Sequence, residues 1–336
     1  MAGVATSEVA TAAGIHCLPV PTPFAVGRVN TYLIEDDPLT LVDSGPNSAT
    51  SLTALEAALA AHGRRVEDLE RLVITHQHID HIGLAQILAD RSGAEVVALE
   101  LLAPWLARYG PAMDADDAFA EALMTRNGIP VDVGYALRSV SRSFRAWGAP
   151  VTVTTTVRDG GTLDFAGRSL RVLHRPGHSP TDTVFHDPAT GILVGGDHLI
   201  AHVSSNPLVT RPPDAPTDGP VPERPKALIV YLESLAATRA MELDVVLAGH
   251  GDPVLDHVAL IDERFRLHER RANKIAGLIA TQPCNAYEIA QSLWGNVAVT
   301  QAYLTLSEVL GHVDLLIADG RVVERDVDGV AVFEAA

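Results

Sequence analysis

Apolar and polar positions along this chain alternate between two periods. "NTYLIED" (30–36), "RLVITH" and "AEVVAL" are short apolar runs bounded by turn residues, and they read as strands. Between them, Leu52, Leu55 and Leu59 recur at helical spacing, and Ile82, Leu84, Ile87 and Leu88 do the same after Asp80. "LTLVDSGP" predicts a strand that runs into a tight turn at Asp43-Ser44-Gly45-Pro46. Strand-like sequence returns in "VTVTTTV", "TLDF", "SLRVLH" and "TDTVFHD". The last of these pairs with "GILVGGD" as a hairpin through Asp187-Pro188-Ala189-Thr190-Gly191. "KALIVYLESLAATRAM" reads as a helix and "DVVLAGH" as a buried strand ending at His250. Strands and helices taken in turn predict an α/β body.

Two stretches depart from that rhythm. Residues 101–149 carry "WLARYG", "DDAFAEALM" and "ALRSVSRSFRAWG", which predict two or three helices. A packed insertion, a lid over a site and an oligomer contact are the roles open to them; Trp147 is a candidate pocket-wall residue. "VTRPPDAPTDGPVPERP" is too irregular for a core element and is expected to lie outside one. A long helix around "LIDERFRLHERRANKIAGLIA" then leads to "NAYEIAQSLW", "VTQAYLTLSEVLGHVDLLIADG" and a hairpin in "RVVERDVDGVAVFEA". The expected division is a body over 15–257, carrying the insertion at 101–149, and a smaller C-terminal unit over 258–336.

Composition narrows the function. The chain has 336 residues, 47% hydrophobic and 20% charged, which fits a globular protein of enzyme size. Its net charge of −17 repels nucleic acid and acidic membrane at long range. Cys17 and Cys284 are the only cysteines, so neither a disulfide framework nor a cysteine-rich zinc module is expected. The opening residues lack a basic leader and an apolar core, and no uninterrupted apolar run is long enough to span a bilayer, so a cytoplasmic protein without a membrane partner is expected.

"THQHIDHIG" (75–83) concentrates chemistry in one place. His76 and His78 alternate in extended chain and can face one metal, while Asp80 and His81 can reach a second beside it. Imidazole with carboxylate suits zinc, iron or manganese, whereas an all-oxygen set would favour calcium or magnesium. More ligands should arrive at other strand ends. "HRPGHSP" supplies His178, "VGGDH" supplies Asp197 and "LAGHGDP" supplies His250. The natural division gives His76, His78 and His178 to one metal and Asp80, His81 and His250 to the other, with Asp197 bridging.

This pattern resembles the metallo-β-lactamase-fold hydrolases, whose His-x-His-x-Asp-His hallmark stands here as "HQHIDH", with "GHSP", "GGD" and "AGH" following in the same chain order. The resemblance implies an αββα sandwich, here with the helical insertion and a small C-terminal winged-helix-like domain, and two divalent ions, zinc first. Asp43 matches the family's early aspartate and would support the histidine loop. No cysteine stands at a ligand position, so the chain is more similar to the hydroxyacylglutathione hydrolases, lactonases and nucleases than to the antibiotic-hydrolysing enzymes with a cysteine ligand. A hydroxide bridging the two ions would attack a carbonyl carbon, with Asp80 and Asp197 as the catalytic carboxylates and His198 a candidate supporting group. The expected substrate is a small thioester, ester or lactone, and the alternative is a phosphodiesterase or ribonuclease using the same centre. A winged helix suggests DNA, but from Thr281 onward Arg321 and Arg325 face eight acidic residues. DNA is excluded as a partner and RNA disfavoured. The basic run Arg264, Arg266, Arg270, Arg271 and Lys274 is mixed with acids and reads as a solvated helix face.

Overall fold

The computed structural model describes residues 7–336. Strands β1 (Ile15–Val20), β2 (Val29–Ile34), β3 (Thr40–Val42), β4 (Arg71–Val73), β5 (Glu95–Leu99) and β6 (Thr155–Val157) form one sheet in that spatial order. Strands β7 (Thr162–Asp164), β8 (Ser169–His174), β9 (Thr183–Asp187), β10 (Ile192–Gly196) and β11 (Val245–Ala248) form a second, ordered β11-β10-β9-β8-β7. In the first sheet β3 to β6 run parallel; in the second only β10 and β11 do.

Strand periodicity explains the layering. Val42, Val73 and Val97 point between the sheets and meet Val172, Phe185, Val194 and Leu247. Their neighbours Leu41, Leu72, Val96 and Ala98 point the other way, under helices α2 (Ala49–Ala61) and α4 (Ala85–Ser92). Leu193 and Val246 likewise pack outward, against Leu228, Tyr231, Leu235 and Ile261 of later helices. Each central strand is covered on both faces, which is why these strands read as almost unbroken apolar runs. The architecture is the expected α/β sandwich with helices on both outer faces.

The helical run after Asp80 is split. The short α3 (Ile79–Ile82) is separated from α4 at Gly83, where a Cβ would stand 2.2 Å from the Asn47 nitrogen and 2.3 Å from the Trp147 oxygen. The helix α1 (Glu8–Ala12) and the edge strand β1 were not evident in the sequence. In "GIHCLPV" only every third position is fully buried before Val20, so neither period dominates.

Residues 101–149 form α5 (Ala103–Ala107), α6 (Tyr109–Arg126) and α7 (Val131–Phe144). Trp105, Tyr109 and Ala112 join the core beneath the first sheet. The other end of α6 gives Phe119, Leu123 and Met124 to a separate core shared with the C-terminal helices. Those follow α8 (Ala227–Arg239) as α9 (His257–Thr281), α10 (Ala286–Trp294), α11 (Val297–Thr300) and α12 (Ala302–Ala318). They close with a small sheet of β12 (Cys284–Asn285), β13 (Val322–Val327) and β14 (Val330–Ala335), ordered β12-β14-β13. This helix and sheet order is consistent with a winged-helix module.

The Pro-rich stretch is irregular as expected, yet it is not peripheral throughout. Val209 is fully buried in the C-terminal core and Arg211 is 4% exposed. Arg224 holds Asp314 of α12 through two hydrogen bonds of 2.6 and 2.7 Å. The segment straps the body to the C-terminal module. Arg264 also corrects the sequence reading. It is buried, and its Nη2 donates to the carbonyls of Ile200, Ala201 and Val203. Arg266, Arg270 and Lys274 do lie on the solvated face.

Candidate metal centre

All seven residues expected above to be ligands, with Asp43 as their expected support, converge at one end of the sandwich. Asp43 follows β3, His76 follows β4, Asp197 follows β10 and His250 follows β11. Asp80 and His81 ride on α3, and His178 sits in the β8–β9 connection. Their donor atoms fall into two groups, one of His76, His78, His178 and Asp197 and one of Asp80, His81 and His250. Asp197 reaches across: its Oδ1 lies 3.5 Å from His81 Nε2, and its Oδ2 is 3.4 Å from both His178 Nε2 and His250 Nε2. Asp80 Oδ2 lies 3.3 Å from His250 Nε2.

The protein fixes which nitrogen of each ring faces inward. Asp43 has φ of 60°, a left-handed conformation that aspartate tolerates better than most residues. It accepts hydrogen bonds from the Thr75 nitrogen, from Thr75 Oγ1 and from His81 Nδ1, the last at 2.7 Å. Thr75 Oγ1 in turn accepts from His76 Nδ1, and the Arg28 carbonyl accepts from His250 Nδ1. Three rings thus spend Nδ1–H on the scaffold and aim the Nε2 lone pair at the cluster.

That arrangement fits divalent ions. His78 Nδ1 is 3.0 Å from His76 Nε2 and 2.9 Å from His178 Nε2, and one shared proton can satisfy only one of those contacts. His81 Nε2 and Asp197 Oδ1 are buried without any hydrogen-bond partner. Lone pairs converging in a buried space repel one another unless a cation lies among them. Burial, reinforced by the neighbouring imidazoles, holds His78 neutral with its pKa lowered to about 3, and pushes His76 down as well. Asp197 is the opposite case. Burial alone would raise it, but His81 and His250 outweigh that and keep it well below the usual carboxylate range. His76 and His78 thus stand neutral and Asp197 ionised, as metal ligation needs. Burial would lower His81 and His250 too, but Asp197 pushes both up, His250 to about 9, and they hold protons that a bound cation would displace. The two clusters are therefore metal-binding clusters of a binuclear centre, with no metal identity implied by the donor set beyond the borderline transition ions.

Several supporting residues were invisible in the sequence. Gln77 Oε1 accepts from the hydroxyls of Ser179 and Thr181, tying the "HQHIDH" loop to the His178 loop. Asp182 is buried and accepts from the Ser179 nitrogen. Gly249 is required by its surroundings, since a Cβ there would lie 2.2 Å from Asp197 Oδ1 and 2.9 Å from His81 Cε1. Asn30 and Tyr32 of β2 both donate to the Ala248 carbonyl and so fix the end of β11 that carries His250. Only the turn residues flanking "AGHG" hinted at any of this.

Two candidates fall away from the centre. His198 is buried against α8, where its Nε2 lies 2.8 Å from Thr238 Oγ1. Trp147 does not line the adjoining cavity; its ring leans edge-on toward Phe24, which does. A third group, His268, Glu308 and His312, lies between α9 and α12. There His312 Nδ1 donates to the Glu308 carbonyl, His268 Nδ1 donates to His312 Nε2, and Arg271 pairs with the Glu308 carboxylate. Its lone pairs are largely taken by protons.

A sequence profile of the metallo-beta-lactamase superfamily matches residues 25–250. The chain is 35% identical over 309 residues to the probable metallo-hydrolase YqjP of Bacillus subtilis (strain 168), covering 92% of this chain and 94% of that protein. Among solved structures, a metallo-beta-lactamase family protein of Thermus thermophilus is 27% identical with a TM-score of 0.77, covering 96% of this chain and 99% of that one. A beta-lactamase domain protein of Burkholderia ambifaria is also 27% identical, with a TM-score of 0.79 over 96% of this chain and 92% of its own.

Proposed function

The chain belongs to the metallo-beta-lactamase superfamily, and from that premise we propose that it hydrolyses a thioester, ester or lactone. It is a metal-dependent hydrolase with a binuclear centre. The finer reading assigns His76, His78 and His178 to one ion and Asp80, His81 and His250 to the other, with Asp197 shared. When bound, such a metal pair, which we take to be zinc from the likeness to the family, would supply an activated water and polarise the substrate carbonyl.

The chain's own groups do the rest. His78, Asp80, His178, Asp197 and His250 border the cavity beside the cluster, so the reacting carbonyl is held on their side. Asp80 stays ionised although burial opposes it, because His250 and His81 stabilise its charge. Its carboxylate orients the attacking water and accepts the proton at Oδ. Asp43, through Thr75 and His81, fixes ring orientation without touching the substrate.

One observation favours acyl over phosphodiester substrates. The arginines bordering the cavity are both neutralised within the wall, Arg138 by Glu121 at 2.6 Å and Arg211 by Asp116 at 2.8 Å. A nuclease needs cations free for phosphates along the strand. Metal-loaded protein should therefore show a higher kcat/KM for at least one thioester, ester or lactone than for short single-stranded RNA at matched metal and salt. RNA cleavage that is weakened steeply by salt and lost in Asp80→Ala, with no acyl hydrolysis, would overturn the reading.

A further inference from the structure

The cavity beside the metal ligands has a volume of about 700 Å³, within the roughly 300–1,000 Å³ of ordinary ligand sites. It is larger than a small carbonyl compound needs. From the ligands it runs between the insertion, the segment that follows Asp197 and the first turn of α12.

Its wall is built in an unusual way. Leu137, Val140, Ser141 and Phe144 fall at i, i+3, i+4 and i+7 of α7, and all of them border the cavity. Gly134 is the only buried residue of that helix; Leu137 packs partly on the C-terminal core, while Val140 and Phe144 stay 49% and 40% exposed. Across the space, Val203 and Leu304 also stay exposed, at 41% and 42%. Trp105, Met113 and Met124 add further apolar surface, and methionine adapts its shape to flexible ligands. Apart from the metal ligands, the charged groups of the wall are paired. Asp116 and Arg211 hold each other, Asp117 takes Arg145, and Arg138 takes Glu121. Nothing away from the metals calls for a charged ligand.

We propose that this cavity is a chamber for an unbranched hydrocarbon chain carried on the acyl side of the substrate, with the carbonyl at the metal end. The inference rests on the acyl-hydrolase reading for its chemistry and on the wall for its ligand. An acyl tail laid along α7 covers Val140 and Phe144, the part of the stripe that the fold leaves bare, and each methylene contributes binding until the space is filled. A polar leaving group stays at the mouth, in solvent.

Two measurements on the metal-loaded protein separate the chamber from the chemistry. The first is calorimetric binding of linear alkanols from butanol to dodecanol, which cannot be hydrolysed. Kd is expected to fall roughly three- to fourfold per added methylene and then level off. The second is kcat/KM for thioesters and p-nitrophenyl esters from acetyl to dodecanoyl, which should rise with length and peak. Ala120→Phe, which places a ring in the cavity wall, should move both the plateau and the peak toward shorter chains. Alkanol affinity and acyl kcat/KM that do not change with length would overturn the chamber, even if acyl groups are cleaved. Length-dependent alkanol binding without acyl hydrolysis would uphold the chamber and remove the reaction proposed above. An unchanged chain-length optimum in folded Ala120→Phe protein would also count against the chamber.

Discussion

Asp197→Ala should strip both metal positions at once. Its two carboxylate oxygens are the groups that lie between the clusters, 3.4–3.5 Å from His81, His178 and His250. Lewis-acid stabilisation in such centres is worth several kcal/mol, and each ~1.4 kcal/mol is tenfold in rate, so kcat should fall by roughly a thousandfold or more. Elemental analysis should drop from two metals per chain toward none, whereas His250→Ala should lose one preferentially. Asp197→Ala protein that still carries two metals and turns over within tenfold of the parent would sink the bridging role. So would a fully active parent that never exceeds one metal.

Gly249→Ala is expected to damage the same site without touching a ligand. The new methyl would stand 2.2 Å from Asp197 Oδ1, and the backbone has no room to retreat. The Gly249 nitrogen donates to the Gly196 carbonyl at 2.6 Å, and its own carbonyl accepts from the Asn30 nitrogen at 2.7 Å. Asp197 must rotate out of place, since the alternative is to break a bond between sheets. Overpacking of this kind costs about 1–3 kcal/mol, and a displaced ligand adds roughly a further hundredfold in activity. Gly277→Ala, on an exposed turn of α9 with nothing within 4 Å of the added methyl, is the control and should leave activity and metal content unchanged. Equal activity in both variants would show that the contact at Gly249 is relieved at no functional cost.

The metal centre was legible because its chemistry is concentrated. Three histidines and an aspartate lie within residues 76–81, and each remaining donor follows an apolar run that ends in glycine-rich turns. The strands were legible for a related reason, since covering both faces leaves runs such as "VVLA" with no polar position. What escaped depends on distance along the chain. Nothing local to Gly249 reveals that Asp197 will lie against it, and nothing local to Asn30 or Tyr32 shows that β11 will end beside them. Arg264 misled because charge in a helix normally faces water, yet here the carbonyls of residues 200–203 replace that water. The Pro-rich stretch misled for the converse reason. Proline rules out regular structure but does not stop Val209 and Arg211 from being buried by neighbours contributed from elsewhere.

The double anchoring of α6 has a consequence for the order in which the protein is made. Phe119, Leu123 and Met124 share a core with Leu306, Val309 and Phe333, which leave the ribosome long afterwards. At ~5–20 residues per second that lag is roughly ten to forty seconds, during which the apolar face of Phe119, Leu123 and Met124 waits without its partner. Every proposed metal ligand, up to His250, is synthesised before Tyr303 and Leu304 at the cavity's edge. The centre is thus expected to load through an open flank that the last helix later seals. Nascent chains arrested at about residue 295, with His250 clear of the ribosome and Leu304 not yet made, should bind metal while α6 remains open to protease; metal binding seen only in finished chains would reverse that order.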